Sequence, residues 1–197
     1  GGVKTRVLLL APVGHLRGDA RRAYEMARAY GVPMVACTTP QAWRRAVRTL
    51  RETDIVVDAM LGTGINKPLT GLYAEAIETL NALQKPIVAV DIPSGLSADV
   101  GHLHGAYIHA TYTVTFALPK RGLLLYPGAG AVGELHIADI AIPMQAIEAE
   151  GIQVALLEQH DVRRMLPSRR LDAHKGSHGH LLVVAGSRGK SGAGILA

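Results

Sequence analysis

The chain has 197 residues, 48% of them hydrophobic and only 4% aromatic, enough for a packed α/β core but with no apolar run of membrane-spanning length. Its net charge of +5 rests on arginines spread over helical outer faces rather than interleaved with aromatics, which argues against nucleic acid and for a mild field toward phosphorylated small molecules. The single cysteine, Cys37, cannot close an internal disulfide, and Gly1-Gly2-Val3-Lys4 runs into VLLL without a signal peptide, so a reducing, cytoplasmic setting is expected.

Thr5 to Ala11 reads as a short apolar strand, and Asp19 to Tyr30 as a helix with Ala20, Ala23, Tyr24, Ala27 and Tyr30 on its inner side, stopped by Gly31. A second strand, Pro33 to Cys37, precedes a helix with Thr39 as N-cap and Pro40 at its first position, directing Trp43, Ala46, Val47 and Leu50 inward. On that helix Arg44, Arg45, Arg48 and Arg51 gather on a face read as solvated. The third strand opens the stretch DIVVDAMLGTGINKP, Asp54 to Pro68. Ile55, Val56 and Val57 are β-branched without polar alternation, as in a strand buried on both faces of a parallel sheet. Asp58 then falls at the strand's carboxyl end, where open α/β sheets bind their ligands. Gly62 and Gly64 carry no side chain to hold a ligand off the backbone, and Thr63 adds a hydroxyl between them. The same stretch also reads as a tight strand-to-helix connection whose Asp bonds its own turn.

Leu72, Ala76, Ile77, Leu80 and Leu83 mark the next amphipathic helix, and the fourth strand, Pro86 to Asp91, again ends on a carboxylate before Ile92-Pro93-Ser94-Gly95. Right-handed crossovers set Asp58 and Asp91 on neighbouring strand ends, in one crevice. The plainer reading of Asp91 is a turn aspartate held by Ser94 and Gly95. Beyond Gly101, Thr111 to Ala117 and Gly133 to Ile140 extend the sheet, with Lys120 and Arg121 placed either to meet an anionic ligand or to be solvated. His102, His104 and His109 lack a supporting carboxylate or cysteine and read as surface or turn residues rather than a metal site. Pro143 to Asp172 reads as a connector holding a short strand, Val154 to Leu157, and a helical turn or two at Asp161 to Leu166. After His174-Lys175-Gly176-Ser177-His178-Gly179 comes a strand, His180 to Ala185, and a second glycine-rich loop, Gly186 to Gly194.

DAMLGTG, VDIPSGLSADVG, TVTFALPKRGLLLYPGAGAVGELHIADI and HKGSHGHLLVVAGSRGKSGAG, in this order and spacing, resemble the bifunctional NAD(P)H-hydrate repair enzymes. The resemblance implies an NAD(P)HX epimerase domain over residues 1–150 with a Rossmann-like three-layer α/β/α sheet. It also implies a linker over 151–172 and, over 173–197, the beginning of a ribokinase-like α/β domain, the NAD(P)HX dehydratase. The activity implied is epimerisation of (R)- and (S)-NAD(P)HX, coupled in the parent to dehydration that uses ADP or ATP. By this resemblance Asp58 and Ser94 are ligands of a potassium ion. Gly62, Thr63, Gly64, Ile65, Asn66, Lys67 and Pro68 line the hydrated dinucleotide, and Ala193 and Gly194 touch the dehydratase substrate. Asp91 contacts the substrate and is the choice for proton transfer, since inverting a carbon that bears a hydroxyl needs an acid or base within hydrogen-bond reach. Related epimerases tend to dimerise, which leaves a homo-oligomer open.

The sequence departs from the family in having no GNNGGDG loop and no GTGD-type segment, so it is expected to be a fragment lacking the N-terminal part of its first domain. Ala141 stands for the family's Gly, and Lys190-Ser191 for Met-Thr. Two other classes compete. One is a ribokinase-like small-molecule kinase, although only three residues separate Gly186 from Lys190, unlike a P-loop. The other is a non-catalytic nucleotide-binding module.

Overall fold

Strands that alternate with helices must pair in parallel, and every named strand here does. The computed structural model describes residues 2–102, 105–166, 171–174, 176 and 180–196. β1 (Val7–Leu9) pairs with β2 (Met34–Ala36), while β3 (Val56–Asp58), β4 (Ile87–Val90), β5 (Tyr112–Phe116) and β6 (Glu134–Ala138) form a second sheet in that order. The helices are α1 (Gly18–Ala29), α2 (Pro40–Ala46), α3 (Gly71–Ala82), α4 (Arg121–Leu124), α5 (Met144–Ala149), α6 (Gln159–Met165) and α7 (Gly192–Leu196). The chain divides into two compact units, residues 1–143 with all six strands and residues 144–197 with α5, α6 and α7.

Thr39 caps α2 as its sequence suggests, its Oγ1 accepting from the Ala42 N–H at 3.2 Å with Pro40 at the first turn. That start angle turns Trp43 into the core, where its Nε1 donates to Thr79 Oγ1 on α3 at 3.3 Å. Arg44 is exposed, as expected of a solvated face, and there it also pairs with Glu75 of α3. The cluster beneath these helices joins Cys37, Trp43, Ala76, Ile77, Leu80, Ile87 and Ile108, with Leu8 and Val56 packed against it. A second cluster, Ile92, Leu96, Ala98, Leu123 and Val132, ties the chain after β4 to α4 and to the approach to β6.

Several expectations fail, for related reasons. Ile55 and Val57 are 48% and 61% exposed rather than buried on both faces. Val56 and Asp58 take the core side, and β3 has a strand on one side only. On α1, Ala20, Ala23 and Tyr30 are exposed and only Tyr24 and Ala27 are half-buried. This helix joins β1 to β2, a ribbon too narrow to cover an apolar face. The strands expected at 154–157 and 180–185 are irregular chain, because an apolar run forms a strand only where another supplies its ladder. His104, Lys175, Ser177, His178 and Gly179 lie outside the described residues. Among those described, no helix is long and apolar enough to cross a membrane.

Candidate active site

β3 and β4 run side by side with Asp58 opposite Ala89, so the next residues of β4 deliver Asp91 to the same edge of the sheet. β5 is the other neighbour of β4, and the Asp91 N–H donates to Val114 O at 2.8 Å, which brings Thr115 and Phe116 level with the carboxyl group. Two carboxylates therefore sit at adjacent strand ends, but each turns to different partners.

Asp58 is only 1% exposed. Its Oδ2 accepts from the Ser94 N–H at 2.8 Å, and its Oδ1 accepts from the Ser94 hydroxyl at 2.7 Å and from the Met60 N–H at 3.3 Å. Ser94 Oγ in turn accepts from the Leu61 N–H at 3.0 Å and lies 3.3 Å from Leu61 O, so it ties the turn after β4 to the loop after β3. Gly95 makes that turn possible: its φ is +100°, and a Cβ there would lie 2.3 Å from Ala106 O. Burial pushes the Asp58 carboxyl above its ordinary value, and the three hydrogen bonds oppose this only in part. Among the described residues, no charged side chain acts on it. A buried carboxylate without a counter-cation, beside a hydroxyl and a peptide carbonyl, is a donor set that fits a hard cation. Among the described residues there is no cluster of three or more His, Cys, Asp or Glu that could hold a metal ion.

Asp91 is held differently. Its φ of +67° is left-handed, a conformation Asp tolerates better than most residues and one that concentrates at functional sites. Its Oδ1 accepts from Lys120 Nζ at 2.5 Å, Thr115 Oγ1 at 3.0 Å and the Phe116 N–H at 3.3 Å. Lys120 Nζ also donates to Thr115 Oγ1 at 3.0 Å and to Phe116 O at 3.1 Å. Desolvation, the largest single influence on Asp91, pushes it upward. The Lys120 hydrogen bond, the Thr115 hydroxyl, the Lys120 charge and the Phe116 N–H outweigh it together and hold the carboxyl below its usual value. Asp91 is thus a carboxylate at neutral pH.

The loop expected to line a ligand starts where Ser94 holds Leu61 and ends where Leu69 bridges to Gly105. Gly62, Thr63, Gly64, Asn66, Lys67 and Pro68 are exposed and Ile65 is half-buried. A Cβ at Gly62 or Gly64 would meet nothing within 4 Å, so internal packing does not demand these glycines and their bare backbone is open to a ligand. Ala193 and Gly194 lie in α7, in the second unit. The His109 ring meets that of Tyr107 at a tilt, with 4.6 Å between centroids. A cavity of about 330 Å³ borders β1, β2 and α2 and contains none of the site residues. Sequence reasoning left Lys120 undecided and passed over Thr115. The available signal was Thr113 and Thr115 alternating on one buried face of an otherwise apolar strand, since a buried hydroxyl implies a polar partner.

A sequence model described as YjeF-related protein N-terminus matches residues 1–122, a span that includes Asp58, Asp91, Ser94 and Lys120. A bifunctional NAD(P)H-hydrate repair enzyme Nnr of Moorella thermoacetica is 42% identical over 196 residues, 100% of this chain and 37% of that protein. The enzyme of the same name from Thermofilum pendens is 39% identical, over 99% of this chain and 36% of its own length. The chain therefore spans little more than a third of these curated relatives. The crystal structure of yeast ynu0 superposes with a TM-score of 0.57 at 21% identity, covering 81% of this chain and 76% of that one, a likeness of fold.

Proposed function

The chain belongs to the YjeF-related N-terminal family, and from that premise we propose that its first unit carries the site of an NAD(P)H-hydrate epimerase. The relatives that match its whole length are NAD(P)H-hydrate repair enzymes. The observation that carries the reading is a pair of carboxylates at neighbouring strand ends whose surroundings push their ionisation in opposite directions. That divergence is how a site assigns different roles to two like groups.

In this reading Asp91 is the proton-transfer group. Inversion at a carbon bearing a hydroxyl breaks a bond on one face and remakes it on the other, with a proton removed and returned, and an ionised carboxylate can take the proton and give it back. The open backbone from Gly62 to Pro68 lies against the hydrated dinucleotide, where bare peptide groups can donate to phosphate or ribose oxygens. Asp58, Ser94 and the Leu61 carbonyl hold a potassium ion. When bound, the ion supplies a fixed positive charge that offsets the buried carboxylate. In the whole protein we assign ADP- or ATP-dependent dehydration to the portion that begins at residue 173, where Ala193 and Gly194 meet the hydrated substrate. The sequence relatives lend no support to the kinase or to the non-catalytic module.

The test supplies one epimer of NADHX to the protein and follows its interconversion chromatographically. Asp91→Asn should slow epimerisation by about 10² to 10⁴-fold when assayed at a temperature where its circular dichroism still matches the folded wild type. Unchanged turnover refutes the assignment.

A further inference from the structure

We infer that Lys120 is a positioning residue that pins one oxygen of the Asp91 carboxylate so that the other is presented to the substrate. This rests on the reading of Asp91 as the proton-transfer group. Each hydrogen bond that Asp91 accepts with its side chain falls on Oδ1, from Lys120, Thr115 and the Phe116 N–H, and Oδ2 has no partner among the described residues. The Asp91 side chain remains 23% exposed, and among the described residues no buried side-chain oxygen lacks a partner, so the unpartnered Oδ2 is reached by solvent rather than sealed in dry core.

The lysine is fully committed to this arrangement. An ammonium has three protons, and Asp91 Oδ1, Thr115 Oγ1 and Phe116 O account for all three. It therefore has no donor to spare for a ligand, and with its side chain 24% exposed it is not an ordinary solvated cation. Thr115 closes the ring by accepting from Lys120 while donating to Asp91. Among the described residues Lys120 is the charged group acting on the Asp91 carboxyl, and on the adjoining strand Asp58 is turned onto Ser94 and Met60. A guanidinium could replace the charge but not the compact three-point contact, because its donors lie in a planar fork.

Lys120→Met, Lys120→Arg, Thr115→Val and Asp91→Asn should be compared for epimerisation across pH. Lys120→Met should lower kcat by about 100-fold, with KM changed by less than about threefold, and should move the acidic limb of the rate profile to higher pH. Lys120→Arg should recover only part of the rate, and Thr115→Val should lower it less than Lys120→Met does. A titration of the ¹³C-labelled Asp91 carboxyl by NMR reads the same anchoring without any turnover, and its midpoint should rise in Lys120→Met. An unshifted midpoint, or a KM increase with kcat intact, overturns the inference. Wild-type rates in Lys120→Met beside an inactive Asp91→Asn sink it alone, whereas wild-type rates in Asp91→Asn sink the proton-transfer reading instead.

Discussion

Asp58 and Asp91 share a residue type and a sheet edge, yet their surroundings make opposite demands on pH. Asp91 is held below its ordinary value, so its contribution to stability is present above the unfolded carboxyl pKa, about 3.9, and is lost as pH falls through the folded one. Asp58 is raised, so folding is favoured by its protonated form: that contribution is fully present below the unfolded value and is lost as pH rises through the folded one. A bound cation would cancel that loss. With tetramethylammonium as the only cation, the thermal midpoint should therefore decline as pH climbs from the ordinary carboxylate range through the raised Asp58 value. Potassium should restore it, by about 2.7 kcal/mol at a hundredfold excess over its Kd. Calorimetry in the two salts checks this, and identical pH profiles would remove Asp58 from any cation site.

At the scale of elements, the clamp on Asp91 depends on how closely α4 approaches the chain after β4. Gly122, two residues past Lys120, donates its N–H to Ala98 O at 2.7 Å, and a Cβ on it would lie 1.8 Å from Ser97 O. Both are backbone groups within a buried segment, so nothing flexible can yield. Gly122→Ala should cost about 3 kcal/mol in denaturant unfolding, and the surviving folded fraction should lose epimerase rate because α4 carries Lys120 with it. A denaturation midpoint within error of wild type would show that the segment relaxes freely. The same geometry explains what could be read from the chain directly. The strand-end places of Asp58 and Asp91 were legible because a carboxylate ending an apolar run declares its position locally. Thr39 and Pro40 announced α2 for the same reason. Ser94, read locally as holding Asp91, bonds Asp58 instead. The partnership of Lys120 and Thr115 with Asp91 was not legible, since it depends on which strand lies beside β4. That lateral choice is made by packing, and no local pattern records it.

Across the first unit, burial is uneven. Ile87, Ala89, Thr113 and Thr115 are buried in β4 and β5, which have strands on both sides, whereas β1 and β2 have only each other and α1 buries no residue. The alternation of strands and helices made the class of fold plain, but the division into two sheets was not readable, because apolar content alone does not say which edges pair. A 12-residue helix is marginal without an apolar face to pack against, and an isolated two-stranded ribbon is marginal too. The amides of β1, β2 and α1 should therefore exchange through local openings well below the global unfolding energy, while those of β4 and β5 exchange last. Asp91, Thr115 and Lys120 stand on that slow-exchanging part, where the carboxylate can be held in one orientation through many local openings elsewhere. Hydrogen exchange followed residue by residue decides the matter: protection of Leu8 equal to that of Thr113 would mean that the small sheet opens only with the large one.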